Sequence, residues 1–258
     1  MAGLDSNEPQ MVQPDAGLAF RVEMWFNNVF LGYWKHFVAA VALVLFGILI
    51  YGQYTTWYQG QQRQASQQIA DTERALYKDL VKSQPEEHRA QIRRMLPNLP
   101  AYLMNIPLED AQLPLVTQSA DALAAIGQGA AGTEGVEAWL QAAELYRLAG
   151  QTEKQREALT AASARAKGPL LYGAQGGLAN LEISAGEGDA AIQRLSALST
   201  ALDGYLAEQA TLDLAMTQQH FGHDTDARHT YEGFLTKWPT SLRVDEVRGR
   251  LDHLSAAQ

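Results

Sequence analysis

The chain of 258 residues contains no cysteine. This excludes disulfides and cysteine-ligated zinc, and leaves the compartment open because many exported proteins also lack cysteine. Basic residues are scarce, 20 against 29 acidic, for a net charge of -9 and a pI near 5.1. After Gln59 the count is 18 basic to 25 acidic, the reverse of a phosphate-binding surface, so nucleic acid is not an expected partner. Chemistry-bearing patterns are equally thin. Gly173, Gly176 and Gly177 do not precede a Lys-Ser or Lys-Thr pair, so they read as close helix packing and not as a phosphate cradle. His220, His223, Asp224, Asp226 and His229 have ligand-like spacing, but Gly222 interrupts them. No serine, histidine and acid arrangement emerges, so neither catalysis nor a metal or cofactor is expected.

What the chain does have is one long apolar run. From Phe37 to Tyr51 every residue is apolar, aromatic or glycine, and the run extends back to Val29 if Lys35 and His36 snorkel. A helix over 29–51 is about 34 Å long, enough to cross a hydrocarbon core of about 30 Å. Trp34 and Lys35 at one end, and Tyr51, Tyr54, Trp57 and Tyr58 at the other, have the composition of membrane interfaces. The late start and the lack of a small-residue cleavage site predict an uncleaved anchor. Arg21 and Lys35 precede the span, whereas Arg63 is the only basic residue among the 19 positions after Tyr51. This bias predicts a cytoplasmic N-terminus and an exported body. Gly47 and Gly52 are five apart, so the span has no small-xxx-small association motif.

Around the span the chain divides by composition. Residues 1–17, with Pro9, Pro14 and three carboxylates, predict a disordered tail. Residues 59–84 predict a helical stalk with Ala65, Ile69, Leu76 and Leu80 as a narrow apolar stripe, suited to packing against the body. Residues 85–135 form a connecting segment. There Pro97, Pro100, Pro107 and Pro114 interrupt apolar residues such as Leu96, Tyr102 and Ile106, which read as a cover for the first repeat or as a contact with a partner or the membrane surface. Within this segment 117–126 predicts a helix, with Gly127, Gly129, Gly132 and Gly135 as a loop after it.

Residues 136–258 repeat. Gly150, Gly186 and Gly222 are 36 apart, as are Ala143, Ala179 and Ala215, and Leu159, Leu195 and Tyr231. Such a period marks stacked helix pairs, since one pair cannot bury its apolar face alone. The alanines suit close helix crossings and the glycines suit the left-handed residue beyond a helix end. Val244, Val247, Leu251 and Leu254 line one face of a closing cap helix. Trp139, Ala143, Tyr146, Gly150 and Pro169 in the first unit, and Leu214, Ala215, Gly222, Ala227, Tyr231 and Pro239 in the third, resemble the tetratricopeptide repeat. The unit here is two residues longer than the common one of about 34. The chain therefore reads as all-α: one N-terminal transmembrane helix, a stalk and a C-terminal solenoid of three helical hairpins.

The resemblance implies a concave groove lined by the first helix of each pair: Leu140, Glu144 and Arg147, then Gly176, Asn180 and Ile183, then Leu212, Met216 and Gln219. Such a groove suits extended apolar segments or a partner helix. The order of parts, with Tyr172-Gly173-Ala174 and Leu178-Ala179-Asn180-Leu181-Glu182 opening the central repeat, resembles the membrane-anchored ancillary subunit of the bacterial Sec translocon. That resemblance implies a single-pass inner-membrane protein with a periplasmic, chaperone-like body that receives exported chains or recruits chaperones. An assembly scaffold in another envelope complex is the alternative, because this repeat serves many partners.

Overall fold

A single helix, α1, runs unbroken from Leu31 to Ser83 in the computed structural model, which describes residues 31–83 and 108–256 together with Arg21, Glu23, Met24 and Glu86. The tail and most of the proline-punctuated segment lie outside the described residues, as do the side chains of Trp34 and Lys35. α1 contains no proline, and its glycines stand singly and keep helical backbone. By contact density the chain divides into two compact units, Met1–Gln59 and Gly60–Gln258.

In the first unit the described apolar side chains of the run face outward. Leu43, Val44, Leu45, Phe46, Ile48, Leu49 and Ile50 are all more than half exposed. A run of apolar side chains with no protein neighbours is unstable in water and stable in lipid. Among the described residues this is the one helix long and apolar enough to cross a membrane, with a window of mean hydropathy 1.9, none of it buried. Tyr51, Tyr54 and Trp57 are exposed beyond it, and the Tyr54 ring stands 6.0 Å from Tyr58 and 6.3 Å from Trp57.

After a single 3-10 turn at Asp110–Gln112, the second unit holds eight further α-helices among the described residues: α2 Leu113–Gly129, α3 Thr133–Leu148, α4 Thr152–Ser163, α5 Gly168–Ser184, α6 Gly188–Ala201, α7 Gly204–His220, α8 Asp224–Lys237 and α9 Val244–Ala256. No strand occurs among the described residues. From α2 onward each helix packs on the next, and α3 and α5 also meet α5 and α7 respectively. The end of α1 belongs to this unit. Ile69, Leu76 and Leu80 are buried in one cluster with Val116, Ala120 and Leu123 of α2 and Ala142 and Tyr146 of α3.

The joints between helices repeat more finely than the side chains. Glycines with positive φ occur at 132, 150, 168, 186, 204 and 222, every 18 residues. Gly150, Gly186 and Gly222 follow α3, α5 and α7, and the next N–H donates back across the turn: Gln151 to the Tyr146 carbonyl at 2.8 Å, Glu187 to Glu182 at 2.8 Å and His223 to Gln218 at 2.9 Å. This is one closure used three times, and only glycine adopts its left-handed backbone without steric cost. Gly132, Gly168 and Gly204 set the alternate joints, a second series at the same 36-residue step. Ala143, Ala179 and Ala215 are all buried, and so are Leu159, Leu195 and Tyr231.

One expectation is corrected. The glycines expected to form a loop after 117–126 mostly do not: α2 runs to Gly129, α3 begins at Thr133, and Gly127 and Gly135 lie inside those helices. The reason is close packing. A Cβ on Gly127 would stand 2.7 Å from the Trp139 ring, and one on Gly135 would stand 2.4 Å from the Ala130 carbonyl oxygen. Arg165 reaches the same joint, donating to the carbonyls of Gly127 and Ala130 and closing the end of α2. Gly135→Ala is accordingly expected to destabilise by about 2 kcal/mol through overpacking. Gly233→Ala, where a Cβ meets nothing within 4 Å, is expected to stabilise by about 0.5–1 kcal/mol. Thermal unfolding followed by circular dichroism checks the pair.

A polar tie joins the first three helices of the body. Asp121 accepts from Tyr146 Oη at 2.7 Å and from Lys154 Nζ at 2.8 Å. These donors, Lys154 first, hold the Asp121 carboxyl below its ordinary value. The tie is therefore present at neutral pH and is lost as pH falls through that lowered value.

Candidate functional site

Helix α5 contains Gly168, Gly173, Gly176 and Gly177, an unusual load for a helix, since each interior glycine costs about 0.5–1 kcal/mol relative to alanine. Packing accounts for Gly177, where a Cβ would stand 2.9 Å from Leu159 Cδ2, and in part for Gly173, which faces Leu140 at 3.8 Å. It does not account for Gly176, where a Cβ would meet nothing within 4 Å. Gly176 instead opens a cavity of about 550 Å³ between α5 and α7.

Two helical faces make this cavity. On α5 it is lined by Gly173, Gly176, Gly177 and Asn180, spaced as one face of a helix, with Ile183 beyond. On α7 the same spacing gives Asp213, Met216, Thr217 and His220. Asn180 is exposed, Ile183 half-buried and Met216 37% exposed, so polar and apolar groups alternate along the opening. Tyr172 Oη donates to Asp213 Oδ2 at 2.6 Å and Gln209 Nε2 donates to Oδ1 at 2.8 Å. Burial, and then the bond to Asp213, push the Tyr172 phenol well above its ordinary value, so it remains a neutral donor. The Asp213 carboxylate is thereby fixed in the wall of the opening by two neutral donors.

The groove residues expected from the sequence separate into three groups. Gly176, Asn180, Ile183 and Met216 come together around the cavity. Leu140 is half-buried and packs against the core below α3, while Glu144 and Arg147 bond each other on α3 at 2.8 Å through Arg147 Nε. None of these three lines the cavity. Leu212 is 1% exposed, in a cluster with Ala215, Ala227, Tyr231 and Phe234, and Gln219 accepts from Tyr231 Oη at 3.1 Å. Leu212 is therefore a core residue and not a groove residue.

The cause of that displacement is geometric. Stepping by 36 maps the side of α5 that bears Gly176 and Ile183 onto the equivalent side of α7, which faces onward to α8. The opening between α5 and α7 is instead bounded by the adjacent side of α7, rotated by about 100°, where Asp213, Thr217 and His220 stand with Met216. The residues missed were Tyr172, Asp213, Thr217 and His220, and the helical spacing of the last three with Met216 is the signal that identifies them.

Elsewhere the side chains read structurally. His223, in the set with ligand-like spacing, stands 3.7 Å from Asp189 and 3.8 Å from Asp226. Among the described residues no three His, Asp or Glu are grouped to hold a metal ion. Comparison with known proteins finds no family model, no curated protein and no solved structure that matches this chain.

Proposed function

We propose that this chain is a single-pass membrane protein whose body is a tetratricopeptide-like solenoid that binds other proteins in the groove between α5 and α7. The observation that carries the reading is Gly176, a destabilising residue in a helix interior with no packing role, placed where it opens a cavity large enough for two or three side chains. The repeated glycine closures and the contacts between α3, α5 and α7 support the solenoid. Exposed Met216 beside Ile183 supports a protein partner, because methionine adapts to varied apolar side chains.

The bare apolar face of α1 supports the anchor. Arg21 and Lys35 before it favour a cytoplasmic N-terminus, with the body on the periplasmic side of a bacterial inner membrane. In that setting the body acts as a chaperone-like module beside the Sec translocon. Co-purification in mild detergent with protein identification tests this. Translocon subunits or exported chains are expected with the native protein and are lost in Gly176→Leu. Stable recovery of a different envelope complex assigns the scaffold role instead. Protease digestion of the body in cells whose cytoplasmic membrane is intact but whose outer barrier is open tests the orientation, and a resistant body rejects it.

A further inference from the structure

We infer that the groove selects segments carrying a lysine or arginine beside apolar side chains, the cation meeting Asp213 and the apolar groups meeting Ile183 and Met216. This rests on the reading of the groove as a protein-binding site and names the chemistry of its occupant. Both Asp213 oxygens accept from neutral donors, Tyr172 Oη and Gln209 Nε2, which orient the carboxylate without cancelling its charge. A carboxylate oxygen retains a second acceptor position after one such bond. Among the described residues none of the ion pairs includes Asp213, and Arg243, whose guanidinium feels its charge, pairs with Glu246 at 3.5 Å.

The other polar groups of the lining do not supply the missing positive charge. Asn180 is neutral, and the Thr217 hydroxyl donates to the Asp213 backbone carbonyl at 2.8 Å. His220, exposed at the end of the lining, is the one other titratable side chain that α7 contributes to it; Tyr205, further back on α7, acts on Tyr172 and Arg243. Residues 108–256 hold 11 basic against 20 acidic side chains, so the surroundings also favour an approaching cation and repel an anion. Gly176 leaves the α5 backbone uncovered at mid-groove, which lets an extended chain approach closely enough for its side chains to reach both walls.

The test uses the full-length protein in detergent micelles with two fluorescein-labelled short peptides that differ only at the centre, lysine or glutamate, flanked by leucines. Anisotropy titration at low salt is expected to show the lysine peptide binding about tenfold more tightly, with the difference shrinking as salt rises. Asp213→Asn, which keeps an acceptor for Tyr172, is expected to weaken the lysine peptide roughly fivefold and to erase the preference. Gly176→Leu is expected to block both peptides while the circular dichroism melt shows the fold intact. Equal binding of the two peptides, or an unchanged preference in Asp213→Asn, overturns the charge selection alone, provided that Gly176→Leu still blocks binding. Binding that is indifferent to Gly176→Leu, or no binding of either peptide, overturns the groove reading and the inference with it.

Discussion

Replacing Leu45 and Leu49 together by arginine is expected to move the protein from the membrane pellet to the soluble or aggregated fraction. Both side chains are more than half exposed on α1, 56% and 67%, Leu45 near the middle of the apolar run 37–51 and Leu49 toward its Tyr51 end. An arginine near the centre of a lone span is unfavourable by about 3 kcal/mol on insertion scales and by less toward its end, so the pair shifts partitioning by about 4–5 kcal/mol. Substitution of the same pair by alanine removes apolar surface but adds no charge, and is expected to leave the chain in the membrane. Alkaline extraction followed by immunoblotting distinguishes the two. If the arginine variant stays embedded like the native chain, α1 is not the anchor.

The second large effect lies in the α5–α6 hairpin. Glu182 is 5% exposed and Arg194 27%. Arg194 Nε approaches the two Glu182 oxygens at 3.0 and 2.9 Å, its Nη2 bonds the same carboxylate, and its Nη1 donates to Gln175 Oε1 at 2.7 Å. A 36-residue step places Tyr146 and Ala158 at this crossing in the first hairpin, and Gln218 and Thr230, which bond each other at 2.8 Å, in the third. Arg194→Met strands a buried carboxylate and is expected to destabilise by about 3 kcal/mol, which lowers Tm by roughly 10 °C in a body of this size. Removing both charges, Glu182→Met with Arg194→Met, is expected to recover most of that loss, because the desolvation of both ions is relieved at once. Thermal melts of the two singles and the double form a double-mutant cycle. A single variant as stable as the native protein, or a double no better than Arg194→Met, removes the pair from the account of stability.

Much of the helical pattern was legible before any coordinates, because it rests on local chemistry. The turn glycines at 150, 186 and 222 declare themselves, since a left-handed closing residue is a property of a few adjacent peptide units. The apolar run of α1 is likewise a property of composition, and the alanines and leucines at a 36-residue step mark the buried faces. Less was legible at the site. Leu212 and Asp213 are neighbours in sequence, yet one is sealed among Tyr231 and Phe234 while the other lines the opening with Tyr172. A rotation of about 100° separates them on the helix, and repeat arithmetic carries no information about which side of α7 meets α5.

The sequence by itself therefore determined the helical class, the turns that divide it and the segment suited to lipid, because hydropathy and backbone preference act over a few residues at a time. The tertiary structure decided which glycines are turns and which are contacts. Gly127 and Gly135 admit Trp139 and the Ala130 carbonyl, while Gly176 admits nothing and leaves a cavity. It also decided that Glu182 meets Arg194 and that, among the described residues, Asp213 joins none of the ion pairs. Those outcomes depend on the distance and rotation between helices far apart in the chain, and only packing sets them.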